Sequence, residues 1–333
     1  MSSTSQIKGN RDGFGKAMVE IAKKDPQMVV LCGDLSDSLK LTEFKKLFPD
    51  RYVECGVAEQ NMMGVASGLA LQGKNPWVVS YAVFNPERNL DQLRTAVYSE
   101  LNIKVVGGHA GLATGRYGST HQALEDLAII CSLPYMTAIV PSDYQEALTL
   151  SQQLHKIKGP GYLRLSRLAK PNVYEIAINN NIKIYEKELK IGHAQILNQG
   201  NDLTIIANGL MLQTAIEATA LLKNMGLSVE LLNLHTVKPL DETVIINSVK
   251  KTKALLVAQE HQLNSGLNSS IAQLIVNNFG TKLNQAIACE FMGVDETFGE
   301  SGSEEELYQK HSLDKLAFLR KAKLVLAKKK SLA

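Results

Sequence analysis

Glu59 lies within the stretch "ECGVAEQNMMGVASGLALQG" (54–73). Met62, Met63, Ala66, Leu69 and Ala70 follow at helical spacing, so a carboxylate leads an apolar stripe. A charge on a buried face is costly unless it is paired or its pKa has moved. The chemistry open to it is hydrogen bonding or proton transfer to a ligand; the structural alternative is a buried salt bridge. "GGHAGLATGRYGSTHQ" (107–122) adds five glycines and two histidines. Glycine lets backbone approach a ligand, and His109 and His121 can bind substrate oxygens or move protons. A long surface loop with Ser119 or Thr120 capping the next helix is the equal alternative. The stretch fits neither a GxGxxG fingerprint nor a Walker loop. "GDLSDS" (33–38) offers Asp34, Ser36, Asp37 and Ser38, which either cap a helix, the simpler reading, or bind polar ligand groups. "SYAVFNPER" (80–88) offers Tyr81 and Phe84, a pair that either stacks on a flat ring or packs in the core.

These residues need elements to hold them. Short apolar runs at 28–33, 76–81, 102–108, 136–141 and 161–166 read as buried strands. Helical patterns at 10–24, 57–72, 86–99, 121–131 and 143–157 alternate with them. Such alternation predicts a doubly wound, mostly parallel sheet. Pro171 and three consecutive asparagines break the rhythm around 168–190. Strands at 202–209, 227–234, 253–260 and 284–291 then alternate with helices at 211–225, 240–251 and 264–278, before a helical tail at 304–328. The expectation is an α/β protein of two doubly wound domains, 1–175 and a smaller three-layer α/β/α domain at 191–333, joined by a linker at 176–190. Ligands bind outside the carboxyl ends of parallel strands, and the four polar stretches above fall at such ends.

The 333-residue length favours about two domains. A net charge of +3 gives no argument for nucleic acid or membrane as partner. The basic run "RKAKLVLAKKKSLA" reads as a solvated helix end and a frayed tail. Four scattered cysteines form no CxxC pair, so no metal site is expected; Cys32 and Cys131 read as reduced core residues. No signal peptide or membrane-spanning run is recognisable, which makes the cytoplasm the expected location.

Together the motifs resemble, in order and over nearly the whole chain, the thiamine-diphosphate enzymes of the transketolase family. "RDGFGKAMVEIAKKD", "GDLSDS", "GVAEQNMMGVASGLALQGKNPWVVSYAVF", "THQALEDLAIICSLP" and "PSDYQEA" are similar to its pyrimidine-binding domain. "DLTIIANG", "LLVAQEH" and "FGESGSEEELYQKHSL" are similar to its C-terminal domain. The resemblance implies that Glu59 hydrogen-bonds a ring nitrogen of the cofactor's aminopyrimidine and promotes its imino tautomer, so that the activated cofactor attacks a ketose carbonyl. It implies an apolar surround for Glu59 that raises its pKa. Phe84 matches the ring that stacks on the aminopyrimidine, with Tyr81 in the same pocket and Asp34 a further cofactor-binding candidate. His109 and His121 match histidines of the substrate channel and count as catalytic candidates with Glu59. Arg11, Ser38 and Arg167 match residues that bind a sugar phosphate.

The chain departs from the family at "RYG" (116–118), where transketolases usually carry Glu-Asp-Gly. Tyr117 replaces an aspartate that contacts a sugar hydroxyl, and a cationic Arg116 beside it points to a different, more acidic ligand. No Gly-Asp-Gly…Asn motif for the diphosphate and its Mg²⁺ is present. The expectation is the C-terminal subunit of a split transketolase. A separate N-terminal subunit would hold diphosphate and metal, with this chain forming homodimers within a heterotetramer and the pair acting on sugar phosphates. The alternatives are an enzyme like deoxyxylulose-phosphate synthase, the beta subunit of a 2-oxo acid dehydrogenase, or a non-catalytic regulatory subunit of the same fold.

Overall fold

The computed structural model describes residues 7–186, 188–280 and 286–332. Its strands are β1 (Met28–Cys32), β2 (Tyr52–Glu54), β3 (Asn75–Tyr81), β4 (Lys104–Gly108), β5 (Thr137–Ile139), β6 (Gly161–Arg164), β7 (Gln195–Asn198), β8 (Leu203–Ala207), β9 (Val229–Asn233), β10 (Thr236–Lys238), β11 (Ala254–Gln262) and β12 (Ala288–Val294). Its helices are α1 (Asn10–Ala22), α2 (Thr42–Leu47), α3 (Glu59–Leu71), α4 (Leu90–Tyr98), α5 (Asp126–Ser132), α6 (Tyr144–Lys156), α7 (Val173–Asn179), α8 (Gly209–Asn224), α9 (Glu242–Thr252), α10 (Leu267–Phe279), α11 (Glu304–Lys310) and α12 (Lys315–Ser331).

The strands form two sheets. The first runs β10-β5-β6-β4-β3-β1-β2 and the second β12-β11-β8-β9-β7. All pairings are parallel except β10 on β5 and β7 on β9. The two-sheet, mostly parallel α/β architecture is the one the alternation predicts. Central strands β1, β4, β8 and β9 are buried at every residue, which is why they read as unbroken apolar runs rather than alternating ones. Helix α1 lies close on α6: a Cβ on Gly13 would stand 2.1 Å from the Tyr144 carbonyl oxygen, so glycine sets that spacing.

Some expectations are corrected. Strands β2, β7 and β10 and helices α2 and α7 were not foreseen; each is short, three to seven residues. Helix α7 falls partly within the expected linker and is capped by Asn172, whose side chain accepts from Tyr174 N–H at 2.8 Å. The helix expected over 121–131 starts at Asp126. The single helical tail is two helices, broken at Ser312 (φ 55°) and restarted by Asp314, which caps Ala317 N–H. Rather than fraying, α12 runs to Ser331. Residues 284 and 285 of the strand expected over 284–291 lie outside the described residues, as do residues 1–6, 187, 281–283 and 333; the strand observed is Ala288–Val294. All four cysteines are free, with Cys32 buried and Cys131 only half-buried.

Candidate functional site

The carboxyl ends of β1, β2, β3 and β4 lead into the four polar stretches, that of β6 leads to Arg167, and these meet along one edge of the first sheet. Glu59 is the first residue of α3 and is 1% exposed. Met62, Met63 and Ala66 bury the stripe behind it, while Leu69 and Ala70 are half-buried. Ser80 Oγ, at the end of β3, donates to Glu59 Oε1 at 3.2 Å, and Arg88 Nη1 donates to Oε2 at 2.8 Å. The expected apolar surround is therefore corrected: the carboxylate is buried among polar donors, and its partner Arg88 is 43% exposed. Asn89 Nδ2 fixes the same turn by donating to the Glu59 carbonyl at 3.3 Å.

Beside it the rings gather. Tyr81 and Phe84 stack at 6.2 Å, and the Arg88 guanidinium lies 4.3 Å from the Phe84 centroid. His109 lies 3.9 Å from the Tyr81 ring, and His121 meets Phe84 edge-on at 5.5 Å. Tyr117 closes the group, 5.5 Å from His121 and 6.1 Å from His109. His109 is held with φ 55°, is 2% exposed, and its Nδ1 has no hydrogen-bond partner. Burial, and then the charges of Arg11, Arg167 and His121, push its pKa down to about 2. It is thus a neutral imidazole with a free buried nitrogen, suited to a ligand oxygen. His121 Nδ1 is paired with Thr120 Oγ1 at 2.9 Å.

Three of the expected phosphate-binding positions converge. The Arg11 guanidinium donates to the carbonyls of Ser38 and Arg167, each at 2.5 Å, so α1 and the ends of β1 and β6 are drawn together. Burial and the nearby Arg167 charge lower the Arg11 pKa, with Asp12 opposing. The Arg167 guanidinium lies 5.1 Å from the Tyr117 ring, which is 47% exposed at the mouth. Two candidates stand apart from the rings. Asp34 is exposed with φ 59°, and its N–H is held by Glu54 Oε1 at 2.7 Å. Arg116 is exposed and sits within the field of Glu306 on α11. Among the described residues no three of His, Cys, Asp and Glu group as a metal site needs.

Sequence reasoning overlooked the side chains that hold this edge. Arg88 ends "NPER" (85–88), where the sequence gives no sign of its partner Glu59. Asn85 Nδ2 donates to the carbonyls of Val78 and Val106, tying β3 to β4. Asp126, fully buried, accepts from Tyr162 Oη at 2.7 Å and Arg164 Nε at 2.8 Å. Its signal was a charge at the first turn of an otherwise apolar helix in "EDLAII". Glu260 and Gln122 bind the 107–122 loop; "VAQEHQ", a polar run ending a buried strand, was the available signal for the former.

Two mostly parallel sheets, with a buried carboxylate, stacked rings and two arginines at one strand edge, define an α/β protein of the doubly wound class, with its polar groups gathered where such sheets bind ligands. Residues 8–172 match the family described as transketolase, pyrimidine binding domain, and residues 192–317 the one described as transketolase, C-terminal domain. The chain is 38% identical to a protein of Methanocaldococcus jannaschii carrying the name of a transketolase C-terminal section, over 92% of this chain and 93% of that one. It is 35% identical to a 6-deoxy-6-sulfo-D-fructose transketolase subunit of Clostridium sp., over 96% of this chain and 95% of that one. A solved structure described as a split gene transketolase, inactive beta4 tetramer, superposes with a TM-score of 0.84 at 33% identity, covering 96% of this chain and 99% of that chain. The chain belongs to the transketolase family, whose members are thiamine-diphosphate-dependent transferases. No helix among the described residues is long and apolar enough to cross a membrane.

Proposed function

We propose that this chain is the C-terminal subunit of a split transketolase, working in the cytoplasm. With a separate N-terminal subunit it would transfer a two-carbon ketol unit from a ketose to an aldose, one or both carrying an anionic group. The names of its relatives support a split arrangement. The partner would hold the diphosphate and Mg²⁺, and residues 1–175 the pyrimidine end of the cofactor, with 176–190 connecting to the domain at 191–333. The observation that carries the reading is Glu59, buried at the head of α3 and bonded to Ser80 and Arg88 beside the Tyr81–Phe84 pair.

The residues present fit that group. A carboxylate 1% exposed beside two stacked rings can hydrogen-bond a flat heterocycle at its edge while the rings hold its face. When bound, the cofactor supplies the electron sink for the carbon–carbon bond that breaks. Glu59 would hold a proton at its carboxylate against the ring nitrogen, with Asp34 at the pocket's rim. The free Nδ1 of His109, together with His121, would bind and exchange protons with substrate oxygens. Arg11, Ser38, Arg116, Tyr117 and Arg167 would receive the substrate's far end. The Arg116 and Tyr117 pair favours an acidic tail there, in keeping with the sulfonated sugar named for the Clostridium relative.

The test combines the chain with its candidate N-terminal subunit, thiamine diphosphate and Mg²⁺, and follows transfer from phosphorylated, sulfonated and neutral ketoses. Transfer should require both subunits, and Glu59→Gln should slow it by about 10²–10⁴-fold. If no ketose turns over and Glu59→Gln changes nothing, the reading fails. Arg116→Glu/Tyr117→Asp should shift preference away from the most acidic donor; unchanged preference removes the acidic-tail assignment.

A further inference from the structure

The loop that carries His109, Tyr117 and His121 is held from the second sheet. Glu260, near the end of β11, is 4% exposed, and its Oε1 accepts the Ala113 N–H at 2.5 Å. The carboxylate enters the loop where only glycine leaves room. A Cβ on Gly111, which has φ +80°, would stand 2.4 Å from Glu260 Cδ. The loop's two ends close around the same point. Gly111 N–H donates to the Ala123 carbonyl at 2.9 Å, and Arg164 Nη2 donates both to that carbonyl at 3.2 Å and to the Glu260 carbonyl at 3.0 Å. Burial pushes the Glu260 pKa up to about 7, with Arg164 and the Ala113 N–H opposing. So costly a group needs compensation, and the loop amide supplies it together with the Arg164 charge and the Tyr308 hydroxyl.

We infer that Glu260 is a positioning residue: its carboxylate, reaching across from the C-terminal sheet, holds the 109–122 loop in the shape that presents His109, Tyr117 and His121 to substrate. This gives the C-terminal part of the chain a share in the site. Gln122 and the turn after β12 reinforce the hold. Gln122 Nε2 donates to the carbonyls of Leu112, Gly115 and Glu300, the last from the second half of the chain. Gln122 bonds the loop's backbone from within the loop, whereas Glu260 bonds it from the second sheet. The substrate part of the inference rests on the function proposed above; the hold on the loop does not.

The test uses the full chain with Glu260→Ala and Glu260→Gln. Amide hydrogen exchange is followed in peptides covering 109–122, with β1 and β8 as controls. Loss of one hydrogen bond to a carboxylate is expected to speed exchange of the loop by about tenfold or more in Glu260→Ala, with the control strands unchanged. Glu260→Gln, which keeps an acceptor oxygen, should restore most of the protection. In the assembled enzyme Glu260→Ala should raise the ketose KM about tenfold and lower kcat as well, because the loop places both the substrate and the histidines that act on it, and Glu260→Gln should restore most of both. A folded Glu260→Ala with wild-type loop exchange overturns the inference, as does faster exchange spread equally over loop and controls. Should Glu260→Ala fail to fold, the wild type decides: Ala113 N–H must exchange more slowly than Ser119 N–H, and equal rates overturn it. If the wild-type assembly transfers no ketol unit, the proposed function falls, and the exchange result alone decides whether Glu260 holds the loop.

Discussion

Glu59 and Arg88 form an unequal pair, one buried and one 43% exposed. Removing Arg88 leaves a buried carboxylate without its strongest donor. Arg88→Met is therefore expected to cost about 1–3 kcal/mol of stability, the penalty for an unsatisfied buried polar group. Glu59→Gln in the Arg88→Met background should recover much of that loss, since a neutral amide needs no counter-charge. A double-mutant cycle by urea unfolding measures this; additive losses would show that the pair is not coupled. His109 gives a pH dependence of definite sign. Its ordinary pKa is 6.5 and its folded pKa about 2. Above pH 6.5 the imidazole is neutral in both states and contributes no slope. As pH falls below 6.5 the unfolded chain gains a proton the folded site refuses, so stability is lost. Glu87, raised to about 8 by burial with Glu125 and Asp126 nearby, and Glu260, raised to about 7, act in the opposite sense as pH rises from their ordinary value of 4.5. The expected outcome is thus a difference: from pH 7.5 to 5, His109→Gln should gain stability relative to wild type. A gap that does not vary with pH would contradict it.

At the scale of elements, the site's geometry depends on close helix packing. Gly13→Ala would force α1 away from the Tyr144 carbonyl, and overpacking of this kind costs about 1–3 kcal/mol. Arg11 lies on the same helix two residues earlier, so its hold on Ser38 and Arg167 should loosen as well. Asp143 joins two helices: Oδ1 accepts Glu146 N–H at the start of α6, and Oδ2 accepts Val173 N–H at the start of α7, both at 2.8 Å. Asp143→Ala should cost about 2–4 kcal/mol in urea unfolding, a lost cap plus an orphaned buried N–H; a loss under about 1 kcal/mol would show that water replaces both bonds. These contacts also mark what sequence could and could not reveal. Strands such as "MVVLC" and "LTIIA" were legible because burial on both faces leaves only apolar residues. Strands β2 and β10 were not, since each has only three residues and exists through pairing with a strand distant in sequence. Glu59 was legible as a misplaced charge and Phe84 as an aromatic at a strand end. Arg88 and Asn85 were not, because what singles them out is the partner each meets across the fold.

The two sheets are built as one body. Strand β10, which lies between β9 and α9 in the chain, crosses to pair antiparallel with β5 at the edge of the first sheet. A single apolar cluster includes Leu31, Val78 and Val105 from the first sheet and Ile206, Leu232 and Val257 from the second. Buried polar groups cross the same boundary: Asn233 Nδ2 donates to Glu146 Oε1 at 2.7 Å, and Gln262 N–H to the Leu124 carbonyl at 2.8 Å. Separating the halves would expose the β5 edge and the shared apolar cluster and break each of these bonds, so each half is stabilised by the other. Unfolding should accordingly be a single transition even though the chain carries two sheets. The sequence supplies a clean probe. Trp77, the one tryptophan, is fully buried in β3, so its fluorescence reports the first sheet alone. Far-UV circular dichroism reports helices of both halves. In urea the two signals should give one midpoint and one slope, and Glu260→Ala should shift them together. Two separated midpoints would mean that the halves melt independently, and that the hold of the second sheet on the site's loop is weaker than the shared core implies.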